Sequence, residues 1–175
     1  MARFVAFLRA VNVGNRTVAM ATARQALEEL GYDEVASYVN SGNLLFSAPG
    51  KASEHEAAIR AALEKVYGFE ITTFVRTAAQ LRALVTAQPF GAVAAGHTHF
   101  VLFPLTRLTA PQKRAVEQLS NEHDTVVVAG RDVQWLIRSK STETTLGPQR
   151  WKQALPDNPT TARNVTMLTK LVARL

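Results

Sequence analysis

The sequence predicts an α+β protein: a ferredoxin-like β-α-β-β-α-β half, then a related, less complete α/β half, the two packed as one compact unit. Three observations carry this expectation. Short apolar runs of strand length alternate with segments of 3.6-residue periodicity. The polar turns Asn40-Ser41-Gly42-Asn43 and Gly130-Arg131 each join two strand-like runs as a hairpin. Gly31 and Gly68 stand where two of the periodic segments should stop.

The elements follow in order. Residues 3–9 form a strand apolar on both faces, with Phe4, Ala6 and Leu8 on one and Val5 and Phe7 on the other, so it is central and covered twice. After a polar loop, 20–30 places Ala23, Ala26, Leu27 and Leu30 on one helical stripe. Two short strands, 35–39 and 44–47, flank the first hairpin turn. Ser53 with Glu56 reads as a capping box opening a helix to Tyr67, and 69–76 returns to strand. A similar order follows: helix 77–87, strand 99–103, and a helix opened by Thr109 with Pro111 in its first turn. Strands 125–129 and 133–138, a loop 139–145 and a short helix 148–155 come next, and 160–175 reads as a closing helix. The domain division expected is 1–76 and 77–175. The likeness of the halves lies in element order; no residue-level repeat recurs at a fixed period.

Composition bounds the chemistry. The chain has 175 residues, 47% hydrophobic, which suffices for one ordinary domain or two small ones. It has no cysteine, so thiolate catalysis, disulfides and Cys-ligated zinc are excluded. No apolar run approaches membrane-span length and no signal peptide opens the chain, so a cytoplasmic protein without a membrane partner is expected. Of the net charge of +6, residues 138–175 carry seven basic against two acidic residues. That asymmetry suggests contact with phosphates, or a solvated basic face.

In a split β-α-β unit the first two strands are parallel, with the third between them. Their C-terminal ends share an edge, about 10 Å apart. One end leads into residues 11–16 and the other into 40–43. Arg9, Asn12, Gly14, Asn15, Arg16, Ser41, Gly42 and Asn43 therefore gather as candidate ligand-binding residues, beside the N-terminus of the helix at Met20. Two arginines, amide side chains and glycine backbone suit an anion. Asn and Gly are also the ordinary residues of tight turns, and the same pattern fits turn chemistry alone.

The stretches Phe7-Leu8-Arg9-Ala10-Val11-Asn12-Val13-Gly14-Asn15, Tyr38-Val39-Asn40-Ser41-Gly42-Asn43-Leu44-Leu45-Phe46 and Thr161-Ala162-Arg163-Asn164 resemble the signature of a bacterial domain-of-unknown-function family. Its members open with a pattern close to L-L-R-G-I-N-V-G-G, continue to Y-I-Q-S-G-N-V-V-F and end with T-x-R-N. Ala10 and Asn15 replace glycines usual there, and Val165 an aromatic. The resemblance implies a two-part α+β fold and no activity. It adds Arg163 and Asn164 to the candidate ligand-binding residues.

Nothing else in the sequence assembles a catalytic constellation. His97 and His99 have the spacing of a metal pair but lack a nearby third ligand, and no metal or cofactor is expected. His55 falls on the charged face of its helix, and His123 lies in a loop beside Asp124. Trp135 reads as core, and Trp151, between Arg150 and Lys152, as a base-stacking candidate. The leading expectation is a binding protein for a small anionic ligand or nucleic acid, with Arg9, Arg16 and Arg163 on phosphate. An enzyme acting on a small phosphorylated metabolite and a ligand-free structural module are the alternatives. Oligomeric state is outside what the sequence specifies.

Overall fold

The doubly apolar first strand sets the architecture. In the computed structural model, which describes residues 1–39 and 42–175, β1 (Ala2–Leu8) lies inside a four-stranded sheet with Phe4 to Leu8 all buried. Asn40 and Ser41, the centre of the predicted hairpin turn, lie outside the described residues. The chain continues through α1 (Met20–Glu29), β2 (Asp33–Ser37), β3 (Asn43–Ala48), α2 (Ala52–Tyr67), β4 (Thr73–Thr77) and α3 (Ala78–Ala87). Then follow β5 (Thr98–Pro104), α4 (Ala110–Glu117), β6 (Asp124–Ala129), β7 (Asp132–Ile137), α5 (Pro148–Ala154), β8 (Thr160–Asn164) and α6 (Val165–Val172). Two compact units result, Met1–Arg82 with Leu171–Leu175, and Ala83–Lys170.

In the first unit the strand order is β2-β3-β1-β4, every pair antiparallel. β1 and β2 are therefore parallel, with β3 between them, as the split β-α-β pattern requires. Phe4, Ala6 and Leu8 share a core with Ala23 and Leu27 of α1 and Ile59 and Leu63 of α2. Gly68, in the left-handed region, ends α2 as expected. The predicted capping box is displaced: α2 starts two residues earlier, with Glu54 accepting from the Lys51 N–H at 3.0 Å. That leaves Glu56 for another task. Its carboxylate accepts the Val75 N–H at 2.9 Å and lies 3.5 Å from Arg76 Nη1, whose side chain is wholly buried. Arg76 Nη1 also donates to the Val75 carbonyl at 2.9 Å.

His55 is a second correction. It is 6% exposed, not on a solvated face, because it shares the buried stripe of α2 with Ile59 and Leu63, four and eight residues on, and packs among Phe4, Tyr32 and Phe46 with ring centroids 4.8 to 5.4 Å away. Tyr32 Oη and His55 Nδ1 are 2.8 Å apart, and burial pushes the imidazole pKa below its ordinary value against the opposing influence of Glu54.

The second unit repeats the plan, with strand order β6-β7-β5-β8 and every pair antiparallel. Superposing the two orders by element equates β1 with β5 and β4 with β8. The residues then agree: Phe4-Val5-Ala6-Phe7-Leu8 stands against Phe100-Val101-Leu102-Phe103-Pro104. Arg76 faces Val5 across one strand pair, and Arg163 faces Val101 across the other. Each arginine donates Nη1 to the carbonyl of its preceding residue at 2.9 Å. Thr160–Asn164 is thus an edge strand, where a helix was expected over 160–175; only α6 is helical. β-branched Thr160 and Thr161 favour the extended form, and pairing with β5 fixes it.

Asp124 anchors the second unit. Fully buried at the start of β6, it accepts from Trp135 Nε1 (2.9 Å), Thr144 Oγ1 (2.7 Å), Thr145 Oγ1 (2.8 Å) and the Thr145 N–H (3.1 Å). Burial alone would raise its pKa; the four hydrogen bonds to the charged form outweigh that and lower it. Trp151 is 7% exposed and packs edge-on against Trp135 at 5.2 Å, so it is core and not a stacking platform for bases. His99 is half-buried, with Nε2 at 2.6 Å from Gln134 Oε1 and Phe90 against its ring.

Candidate functional site

Three segments of the first unit converge where β1 ends. The Leu8 N–H donates to the Gly42 carbonyl at 2.8 Å, and the Arg9 N–H to the Thr72 carbonyl at 3.0 Å. The loop after β1, the described flank of the β2–β3 turn and the approach to β4 therefore meet at one sheet edge. The contact is close at Gly42, which has φ +74°; a Cβ there would lie 2.8 Å from Val11 Cγ2 and 3.1 Å from Leu8 Cβ. Gly42→Val is expected to cost about 1–3 kcal/mol, from backbone strain and this close approach. Chemical denaturation measures it, and a variant as stable as the parent would remove the close-packing account.

The loop organises itself. Asn12, at φ +60°, accepts the Val18 N–H on its side-chain oxygen at 3.0 Å. The Arg16 N–H closes a four-residue turn onto the Val13 carbonyl at 3.3 Å, with Gly14 and Asn15 at its tip. Val18 and Met20 are buried, which pins the loop's end to the core as α1 begins. Asn43 is fully buried and donates to the Tyr38 carbonyl at 3.0 Å. Asn12 and Asn43 thus hold the turns. Asn164 does similar service in the second unit, accepting the Thr166 N–H as α6 starts.

What faces solvent at this edge is cationic. Arg9 is exposed, and Arg16 places its guanidinium 5.2 Å from the Phe69 ring centroid. Two further arginines reach the same edge at the end of β2: Arg24 of α1 donates to Ser37 Oγ at 2.9 Å, and Arg174 lies 4.8 Å over Tyr38. Among the described residues no carboxylate forms an ion pair with any of the four. Exposed Val13 (64%) and Val39 (51%) stand on the two turns.

Of the predicted site residues, the structure brings together Arg9, Asn12, Gly14, Asn15, Arg16, Gly42 and Asn43. Ser41 lies outside the described residues. Arg163 and Asn164 belong to the second unit, on β8. Arg163 is half-buried, donates to Thr161 Oγ1 at 2.8 Å, and is pushed down to about 10 by burial. Arg24 and Arg174 escaped the sequence reading. A helix beginning at Met20 already puts Arg24 near the edge, whereas the place of Arg174 depends on long-range packing that no local pattern records. The basic C-terminal segment divides: Arg174 is in the first unit, while Arg138, Lys140, Arg150 and Lys152 are exposed in the second. Among the described residues no three His, Asp or Glu side chains gather as a metal site, and no helix is long and apolar enough to cross a membrane.

Comparison with known proteins agrees with this fold. A solved structure, that of the conserved bacterial protein SP0830 from Streptococcus pneumoniae, is similar over 100% of this chain and 98% of its own, with a TM-score of 0.79 and 23% identity. At that identity the likeness is one of fold. None of the curated proteins compared matches the sequence. A family's sequence model, described as protein of unknown function DUF1697, matches residues 1–134, a span that holds the β1 loop and the β2–β3 turn and ends before Thr161-Ala162-Arg163-Asn164. By that match over most of its length, the chain belongs to the DUF1697 family of proteins of unknown function.

Proposed function

We propose that the protein is a binding protein for a phosphate-bearing ligand, a nucleotide or a nucleic acid, held at the edge formed by residues 9–16 and the Gly42 turn. The observation that carries this reading is Arg16, steadied over Phe69 beside exposed Arg9, with neither guanidinium in an ion pair with a carboxylate of the described residues. Unneutralised arginines at a well-defined edge suit the planar, bidentate recognition of phosphate. Residues 9–16 contain no Asp, Glu, His, Lys, Ser or Thr, so the loop offers donors without a general base. Such a set suits holding an anion.

Calorimetric titration with ATP and with inorganic triphosphate at low salt tests the reading. Binding is expected to weaken as salt is added. Arg16→Gln should lower the affinity about tenfold or more, the worth of a charge-assisted hydrogen bond, with the melting transition unchanged. Absence of binding by either ligand, or full affinity in Arg16→Gln, would sink the proposal.

A further inference from the structure

The four arginines are spread along the edge, not clustered at one point. Arg16 stands at the Phe69 end, where β4 begins, and Arg9 follows β1. Arg24 and Arg174 stand at Ser37 and Tyr38, where β2 ends. In the order β2-β3-β1-β4 these ends are three inter-strand steps apart, about 14 Å. A single phosphate group does not bridge that width; successive phosphates of a chain do. Two of the guanidiniums are steadied on aromatic rings and one on a hydroxyl, which reduces the side-chain entropy lost when each takes a phosphate. Val13 and Val39 project from the two turns of the same edge, 64% and 51% exposed, and offer apolar seats to unstacked bases. The charge along the edge is not cancelled locally: Glu70 is the one acidic residue in the segments 9–16 and 69–72.

The second unit acts as an internal comparison. There β5 passes to α4 through Leu105 to Thr109 alone, where the first unit has the long loop from Arg9 to Ala19. The equivalent edge is closed: Arg131 of the β6–β7 turn donates to the Leu105 carbonyl at 2.6 Å, and buried Asn158 bonds both the N–H and the carbonyl of Thr106 at 3.0 Å. The same fold thus seals its edge in one copy and, in the other, lengthens it and lines it with arginine.

We propose that this edge of the first sheet is a track for single-stranded nucleic acid, with Arg9, Arg16, Arg24 and Arg174 on successive phosphates and Val13 and Val39 under the bases. The proposal rests on the phosphate-binding reading above and names the ligand as a polymer.

Fluorescence anisotropy with a labelled oligothymidylate of about twelve nucleotides tests it, a length within the range one small domain covers. The oligonucleotide should bind tighter than ATP competes, and the log affinity should fall linearly with log salt. Each single-strand phosphate contact contributes roughly 0.7 to that slope, so Arg24→Gln with Arg174→Gln should reduce it by roughly 1.4. A thermal melt of the double variant confirms that it folds. An oligonucleotide that binds no tighter than ATP, or a salt slope unmoved by the two substitutions, would overturn the track and leave the small-ligand reading standing. Duplex DNA of the same length bound as tightly as the single strand would overturn the role of the bases. If neither ATP nor oligonucleotide binds, both readings fall together.

Discussion

Replacing Glu56 with alanine is expected to lower the stability of the chain by about 3–5 kcal/mol, because it leaves the Arg76 guanidinium charged and fully buried without its carboxylate. The same change removes the acceptor of the Val75 N–H. Glu56→Gln should be milder, since an amide oxygen can still take the Val75 hydrogen bond. Replacing both partners, Glu56→Leu with Arg76→Met, should recover much of the loss, because the penalty lies in one stranded charge and not in the absence of a pair. Urea denaturation followed by circular dichroism reads all three. A Glu56→Ala variant within about 1 kcal/mol of the parent would contradict the buried-pair account.

Asp124→Asn is expected to cost about 2–4 kcal/mol, since the four donors around the carboxylate then meet an amide that is itself half donor. The variant also isolates a pH effect. The folded-state pKa of Asp124 lies below its ordinary 3.8. A depressed carboxylate contributes stability that is present above the unfolded value and is lost as pH falls through the folded one. Between pH 7 and pH 3 the parent should therefore lose more stability than Asp124→Asn, the other carboxylates being common to both. Equal losses in the two proteins would mean that Asp124 titrates alike folded and unfolded.

Much of the fold was legible because its signals are local. The double apolar face of 4–8, the helical stripe after Met20, the glycine stop at Gly68 and the Thr109–Pro111 helix start each reappear where the sequence placed them. β8 was not legible: five residues of mixed polarity run straight into an amphipathic helix, and only pairing with β5 separates the two. The duplication was hidden for a related reason. Phe4 and Phe100 are 96 positions apart, Arg76 and Arg163 87, so no fixed period aligns the halves. At the candidate edge the sequence brought the 11–16 loop to the flank of the β2–β3 turn that the structure describes, and read Asn12 and Asn43 as candidates for a ligand. Their side chains bond the backbone and so shape the turns, and two of the four arginines come from elements distant in sequence.

The Glu56–Arg76 pair has a consequence for the chain among its own copies. β4 ends its sheet, and a terminal strand with open N–H and carbonyl groups is a template on which another molecule can add a strand. At Val75 both groups are taken by side chains, the N–H by Glu56 and the carbonyl by Arg76. The clamp breaks the row of free backbone groups at the middle of β4, so an incoming strand finds no continuous ladder. Thr73 to Arg76 are otherwise buried, so loss of Glu56 should tell in partly opened molecules, and light scattering under mild denaturation should show more aggregation than in the parent.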